Sequence, residues 1–360
     1  MKVLILHPDF RDPGGVAAYY RTLEKYYTQS IEHFIIGRRP DETGIYKKIN
    51  RMMNDYRQFV KKMKNDDYDI IHVNPSLDIQ SIIRDGIFIM LARIYKKKTL
   101  AFIHGWHESH EEIIQKYGKW QFKLFYGKVS AFIVLAEAFK KKLLSWGFKQ
   151  SIYREVIVID DNILKEFNIH KTIKNRSESE EYKILFLSRI VREKGIYETI
   201  ETVSLLSAKY PQLELTIAGD GRELENVKNV VQKRFLKNVI FAGYVKNEEK
   251  YRLLKKSNIM IFPTYSEGFP NTIVEGMAFG LPIVTRPVGG IADFFKNGEH
   301  GFATSSKNPV DFANYIEKIL KDIDLCKKMS MNNYEYAKLN LLASRAVLRM
   351  EKIYESVLGK

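Results

Sequence analysis

Short apolar runs alternate with amphipathic helical stretches along this whole chain, and that alternation constrains its fold more than any other feature. A strand buried on both faces reads as an unbroken run of Val, Ile, Leu or Phe, and parallel strands need a crossover between them. The first half supplies KVLIL, HFIIG, DIIHV, TLAFIH, AFIVL and EVIVI, and the second KILFLS, LELTIAG, VIFAG, IMIFP, LPIVT and GFAT. Helical patterns fall between most of these runs, so each half predicts a parallel sheet of its own. At 360 residues the chain also exceeds what one ordinary core organises. The expectation is an α/β protein with two Rossmann-like domains, their parallel sheets facing across a cleft.

Composition places the boundaries. Residues 165–182, KEFNIHKTIKNRSESEEY, are polar without apolar periodicity and read as a linker between a first domain, 1–164, and a second, 183–335. The last stretch, 336–360, carries apolar residues at helical spacing and is expected to pack back on the first domain. No apolar run approaches the roughly 20 residues that span a bilayer; SIIRDGIFIMLARI is broken by Arg84 and Asp85. The opening MKVLILHPDF is too short in apolar residues for a signal-peptide core and reads as a strand. A single cysteine, Cys326, excludes an internal disulfide and fits a reducing compartment, so the expected location is cytoplasmic.

The net charge of +15 admits an anionic membrane, a nucleic acid or a phosphorylated small molecule as partner. Lysine-rich coding bias is the bland account. No helix-turn-helix, zinc-finger or ribonucleoprotein motif accompanies the charge, so no nucleic-acid partner is expected.

In open parallel sheets, ligands bind beyond the carboxyl ends of the strands. The informative residues fall there. Gly14 and Gly15 follow the first strand and precede a helix, where backbone amides can approach an anion, although a plain turn explains them as well. After KILFLS, Arg189 and Lys194 share one loop and could neutralise a diphosphate, or simply be solvated. GDGREL, from Gly219, lacks the third glycine of a dinucleotide fingerprint and reads as a tight turn.

The stretch SEGFPNTIVEGMAFGLPIVTRPVGG sets Glu267 in a loop after IMIFP and Glu275 about one turn into the following helix. The first amides of that helix, at Asn271, Thr272 and Ile273, would face an anion. A carboxylate suits vicinal hydroxyls, since each oxygen accepts one O–H bond, and both a sugar and a ribose present such pairs. The competing account is a capping box, Thr272-x-x-Glu275, which leaves Glu267 unexplained.

This block resembles the E-x7-E signature of glycosyltransferase family 4, retaining enzymes of GT-B fold. Further landmarks recur in order: GGV, FIHG at Phe102–Gly105, VLAEAFKKKLLSWG, SRIVREKG, TIAGDG and FAGYV. The resemblance implies transfer of a sugar from a nucleotide diphosphate sugar to a glycan or lipid-linked acceptor, as in bacterial surface polysaccharide synthesis. The first domain would bind the acceptor and the second the nucleotide sugar. By the same resemblance, Glu267 binds donor-sugar hydroxyls, Glu275 the ribose, and Arg189 and Lys194 the diphosphate. Amides of Gly15, Gly268, Phe269, Pro270–Asn271, Thr272 and Ile273 complete the cradle, Pro270 shaping its turn. His104 approaches the sugar near the reacting carbon, and Tyr244 marks the loop that receives the base. Ser188, Gly276 and Arg286 depart from the usual pattern, Arg286 leaving open an extra anion contact or a surface change. A nucleotide-sugar epimerase of the same architecture and a basic binding module are the rival readings.

No cofactor or metal is expected. His104, His107 and His110 in HGWHESH are three apart, a spacing that drifts around a helix, and Asp67-Tyr68-Asp69 precedes its strand. Membrane contact stays open. YKKINRMMNDYRQFVKKMK has apolar residues at helical spacing, with seven basic residues against one acidic between Lys47 and Lys64, and KYGKWQFKLFYGK interleaves aromatics with lysines. Either could lie on an anionic bilayer, or turn its apolar face to the sheet.

Overall fold

The computed structural model describes residues 1–12, 14–39, 42–106 and 108–359. The chain divides into two compact units, Met1–Val158 with Ala343–Lys360, and Ile159–Leu342.

The first unit contains β1 (Lys2–His7), β2 (Ser30–Ile35), β3 (Ile70–Val73), β4 (Ser76–Leu77), β5 (Lys98–Ile103), β6 (Gly105–Trp106), β7 (Ala131–Val134) and β8 (Ser151–Arg154). Six of these form one parallel sheet in the order β2-β1-β3-β5-β7-β8. Strands β3 and β7 are buried at every residue, which is why their sequences are continuous apolar runs with one histidine. On one face, Phe59, Phe88, Phe122 and Tyr126 come from helices Ile45–Asn65, Ile79–Ile94 and Lys119–Tyr126 and close over Leu4, Leu6, Ile71 and Phe132. Each such ring contributes about 1.5–3 kcal/mol by leaving water.

The C-terminal helix Ala343–Leu358 belongs to this unit and buries Ala346, Val347, Met350 and Tyr354. Its polar residues fix its seat. Arg349 donates to both oxygens of buried Glu155, and Glu351 accepts from Thr28 and from the amide of Gln29. Removing one partner of a buried charge pair strands the other, so these bonds specify the docking more than they add net stability.

The second unit contains β9 (Tyr182–Leu187), β10 (Leu213–Ala218), β11 (Val239–Gly243), β12 (Ile259–Phe262), β13 (Ile283–Thr285) and β14 (Gly301–Ala303). All pair in parallel, in the order β11-β10-β9-β12-β13-β14. Chain direction across the sheet reverses between β9 and β12, and loops leaving a reversal point diverge to open a crevice. In the first unit the same reversal lies between β1 and β3.

Two expectations need correction. Residues 165–182 are not an unstructured linker, because they contain helix Ile169–Ser177, capped by the Asn168 side chain. That helix is held by Arg176, whose guanidinium donates to the carbonyls of Gly280, Phe279 and Leu254, so no apolar stripe was needed. EVIVI is not a strand either. The last strand of the first sheet is SIYR, one step earlier, and Glu155 instead turns inward to Arg349.

Candidate active site

In the second unit, β12 ends at Phe262 and the loop to Pro270 feeds helix Asn271–Ala278. The N-cap is Pro270, not Thr272, and the capping-box account falls with that placement. Thr272 instead donates its hydroxyl to the carbonyl of Leu187, tying the helix start to the end of β9 at 2.8 Å. The amides of Ile273 and Val274 are taken by the Pro270 carbonyl. Among the described residues, the amides of Gly268, Phe269, Asn271 and Thr272 have no acceptor, so four donors remain at and just before the positive end of the helix. The expected cradle is narrower by one donor, because the Ile273 amide is already spent, while the Phe269 ring packs on Phe294.

Glu267 hangs from this loop with its carboxylate taken by Lys194 and, at 2.9 Å, by the Thr264 hydroxyl. Glu275, one turn into the helix, pairs with Lys250 at 2.5 Å. Lys250 sits in helix Asn247–Lys256, and nothing in the sequence singled it out. All four side chains of the two pairs are more than three-quarters buried. The carboxylates are thus held in fixed orientations, each with acceptor capacity left for hydroxyl donors.

Gly289 locks the loop from the other side. Its φ is 53°, and a Cβ there would stand 1.6 Å from the Glu267 carbonyl, while the Gly290 amide donates to the Gly268 carbonyl at 2.8 Å. Only glycine lets the VGG turn approach that closely.

Lys194 ends the short 3-10 turn Arg192–Lys194 after β9. Arg189, on the same loop, is exposed and pairs with no described residue. Tyr244 follows β11 and is 75% exposed. Arg286 is not a surface change, and its buried Nε and Nη1 have no hydrogen-bond partner among the described residues, so an anion contact stays open to it. It is buried, donates to the Ser305 carbonyl and lies 4.6 Å over the Tyr265 ring.

In the first unit, Gly15 is an exposed residue at the start of helix Gly15–Leu23. His104 lies at the carboxyl end of β5, where β4 and β6 pair and its amide donates to the Pro75 carbonyl. Its ring lies against Phe102, tilted by 31° with centroids 3.7 Å apart, and its Nε2 meets the side chain of Asn74 at 3.1 Å. Burial pushes its pKa down to about 3, so the ring is neutral at physiological pH. His107 lies outside the described residues. Asp69 accepts from the Lys2 amide and Asp67 pairs with Lys97, at the amino end of the sheet. No cluster of three metal-ligating side chains occurs among the described residues.

Residues 169–336 match the family described as glycosyl transferases group 1. The capsular polysaccharide biosynthesis glycosyltransferase CapM of Staphylococcus aureus is 28% identical over 228 residues, 62% of this chain and 57% of that protein. An uncharacterized glycosyltransferase of Methanocaldococcus jannaschii is 22% identical over 99% of both chains. The second unit is thus similar to group 1 glycosyl transferases, and the chain spans a little over half the length of CapM. Among solved structures, Anabaena HepE in complex with UDP and glucose aligns with a TM-score of 0.73 at 17% identity, over 99% of this chain and 100% of that one. Sucrose-phosphate synthase from Thermosynechococcus elongatus gives 0.73 at 18%, over 99% of both. These likenesses establish the shared GT-B fold.

Proposed function

We propose that this protein is a retaining glycosyltransferase of family 4 that moves a sugar from a nucleotide diphosphate sugar to a glycan or lipid-linked acceptor. The observation that carries the reading is the pair of lysine-held carboxylates, Glu267 and Glu275, beside four unpaired amides at the β9–β12 reversal point. Glu275 takes the ribose diol and Glu267 the donor-sugar hydroxyls. Arg189, Lys194 and the free amides take the diphosphate, and the Tyr244 loop receives the base. His104 contributes a contact to the donor sugar.

In the transfer, the bond from the anomeric carbon to the diphosphate oxygen breaks and a bond to the acceptor oxygen forms on the same face. The acceptor's hydroxyl proton passes to the departing phosphate. Preorganised cations and amides stabilise the charge that develops on the leaving group, and a site of this kind gains most of its rate in that way. Surface polysaccharide or lipid-linked glycan synthesis in the cytoplasm is the pathway class this reading favours, supported by the similarity to CapM.

Peripheral contact with an anionic bilayer belongs to the same proposal. No helix of the described residues is long and apolar enough to cross a membrane. Helix Ile45–Asn65 buries Phe59 and Met63 but leaves Ile45, Tyr46, Ile49 and Met53 exposed beside Lys47 and Lys48. The apolar stripe thus turns inward only in its second half, and its first turns offer apolar and cationic groups together, as a lipid surface requires. In Lys119–Tyr126 the split differs, with Phe122 and Tyr126 in the core and Trp120 outside.

The test supplies UDP-, GDP- and ADP-sugars with and without a lipid-linked acceptor fraction. The reading expects nucleoside diphosphate release that depends on acceptor and is lost in Glu267→Gln. An isomerised sugar nucleotide formed without acceptor would contradict it.

A further inference from the structure

His104 does not stand alone at the end of β5. It terminates a chain of buried polar groups within the first unit, and the directions of those hydrogen bonds can be worked out from one fixed end. The Asn74 side-chain amide donates to the carbonyl of Leu6 at 2.8 Å. A carbonyl can only accept, so this contact fixes which end of the Asn74 amide faces it, and the opposite end must be the oxygen. That oxygen lies 2.6 Å from the Tyr20 hydroxyl and 3.1 Å from His104 Nε2. Both must donate. Tyr20 has spent its one proton, so its oxygen accepts from His72 Nε2 at 3.2 Å, and His72 Nδ1 accepts from the Tyr354 hydroxyl at 2.8 Å. Tyr20, His72, Asn74 and Tyr354 are all buried, and His72 is kept neutral by that burial, as the scheme requires.

A neutral imidazole has one N–H. If Nε2 carries it toward Asn74, Nδ1 has none, and among the described residues no group takes Nδ1. The ring cannot easily turn to escape this assignment, since Phe102 covers one face and Tyr19 and Tyr20 meet its edges at centroid distances of 5.2 and 6.0 Å. We propose that Asn74 is a positioning residue that holds His104 as the Nε2–H tautomer, so that its bare Nδ1 accepts a hydrogen bond from a hydroxyl of the sugar substrate. The substrate part rests on the function proposed above; the tautomer part does not. His104 then orients a hydroxyl and is not the acid that protonates a leaving group.

The test uses the full-length protein with ring-15N histidine and long-range proton–nitrogen correlation at pH 7, the His104 signals being assigned by their loss in His104→Gln. The expected spectrum shows His104 Nε2 protonated and Nδ1 bare, before any substrate is added. The reverse pattern overturns the proposal without recourse to any Asn74 variant. In Asn74→Leu, the spectrum should move toward a mixture of tautomers, and kcat should fall on the order of tenfold, as loss of orientation does. Affinity for the nucleoside diphosphate should stay unchanged, because its proposed ligands lie in the other unit. An Asn74→Leu protein that keeps both the pure tautomer and full kcat also overturns the proposal. Full turnover in His104→Ala, with the expected tautomer in the wild type, would instead refute the sugar contact while leaving the tautomer assignment standing.

Discussion

Glu275→Gln is the most informative single substitution in the second unit. The change keeps the side chain's shape and one acceptor oxygen but removes the charge and leaves Lys250, paired to it at 2.5 Å, without a counter-ion. In the free protein the change also leaves a largely buried ammonium unpaired, at a cost of more than about 1 kcal/mol, which the titration separates from the loss in the complex. In the complex, two hydroxyl bonds to a carboxylate become one to an amide oxygen. A hydrogen bond to a charged group contributes about 1.5–3 kcal/mol, so the expected loss is about 2 kcal/mol, or about 30-fold in Kd. At a ligand concentration 100 times the wild-type Kd, binding stabilises the wild type by about 2.7 kcal/mol. The variant at the same concentration sits at about three times its own Kd and gains only about 0.9 kcal/mol. Calorimetric titration and thermal unfolding with UDP, GDP and ADP read the two numbers independently. Unchanged Kd for every nucleotide that the wild type binds would refute the assignment of Glu275 to the ribose.

Three other outcomes follow from the same structure. Gly289→Ala should abolish donor binding and destabilise the second unit by more than about 1–2 kcal/mol, since it adds a Cβ clash with the Glu267 carbonyl to a left-handed backbone position; thermal unfolding and nucleotide titration check it. Ile45→Glu with Ile49→Glu should lower sedimentation with phosphatidylserine vesicles while leaving nucleotide affinity unchanged, and equal sedimentation would contradict the membrane surface. Stability should fall below pH 6.5. His7 is buried and its pKa is lowered to about 4, so the unfolded state binds the proton first. Its contribution is full above the unfolded value and is lost as pH falls through the window to about 4, about 3 kcal/mol in all, with His72 shifted in the same direction. Denaturant midpoints at pH 7 and pH 5 measure this.

What the sequence disclosed, it disclosed through periodicity and local chemistry. Strands such as IIHV and IMIF are buried at every residue, and doubly covered strands leave a continuous apolar run that needs no partner to be recognised. Glu267, Glu275 and the glycines of VGG were legible because one compact block carries them. Helix Ile169–Ser177 was not, because it buries only Ile169 and is otherwise tied down by a guanidinium on backbone carbonyls. Lys250 was invisible because its partner lies 25 residues away in sequence, with no repeat or spacing to connect them. Asn74 was hidden more deeply, since its meaning comes from three bonds that converge only after β1, β3 and β5 are side by side.

The central claim is retention in transfer from a nucleotide diphosphate sugar. The most direct test follows the donor that binds best by proton NMR in the presence of a lipid-linked acceptor fraction. The account predicts a glycoside with the donor's own anomeric configuration and one nucleoside diphosphate released per sugar transferred. An inverted glycoside, or an isomerised donor with no transfer, would contradict it.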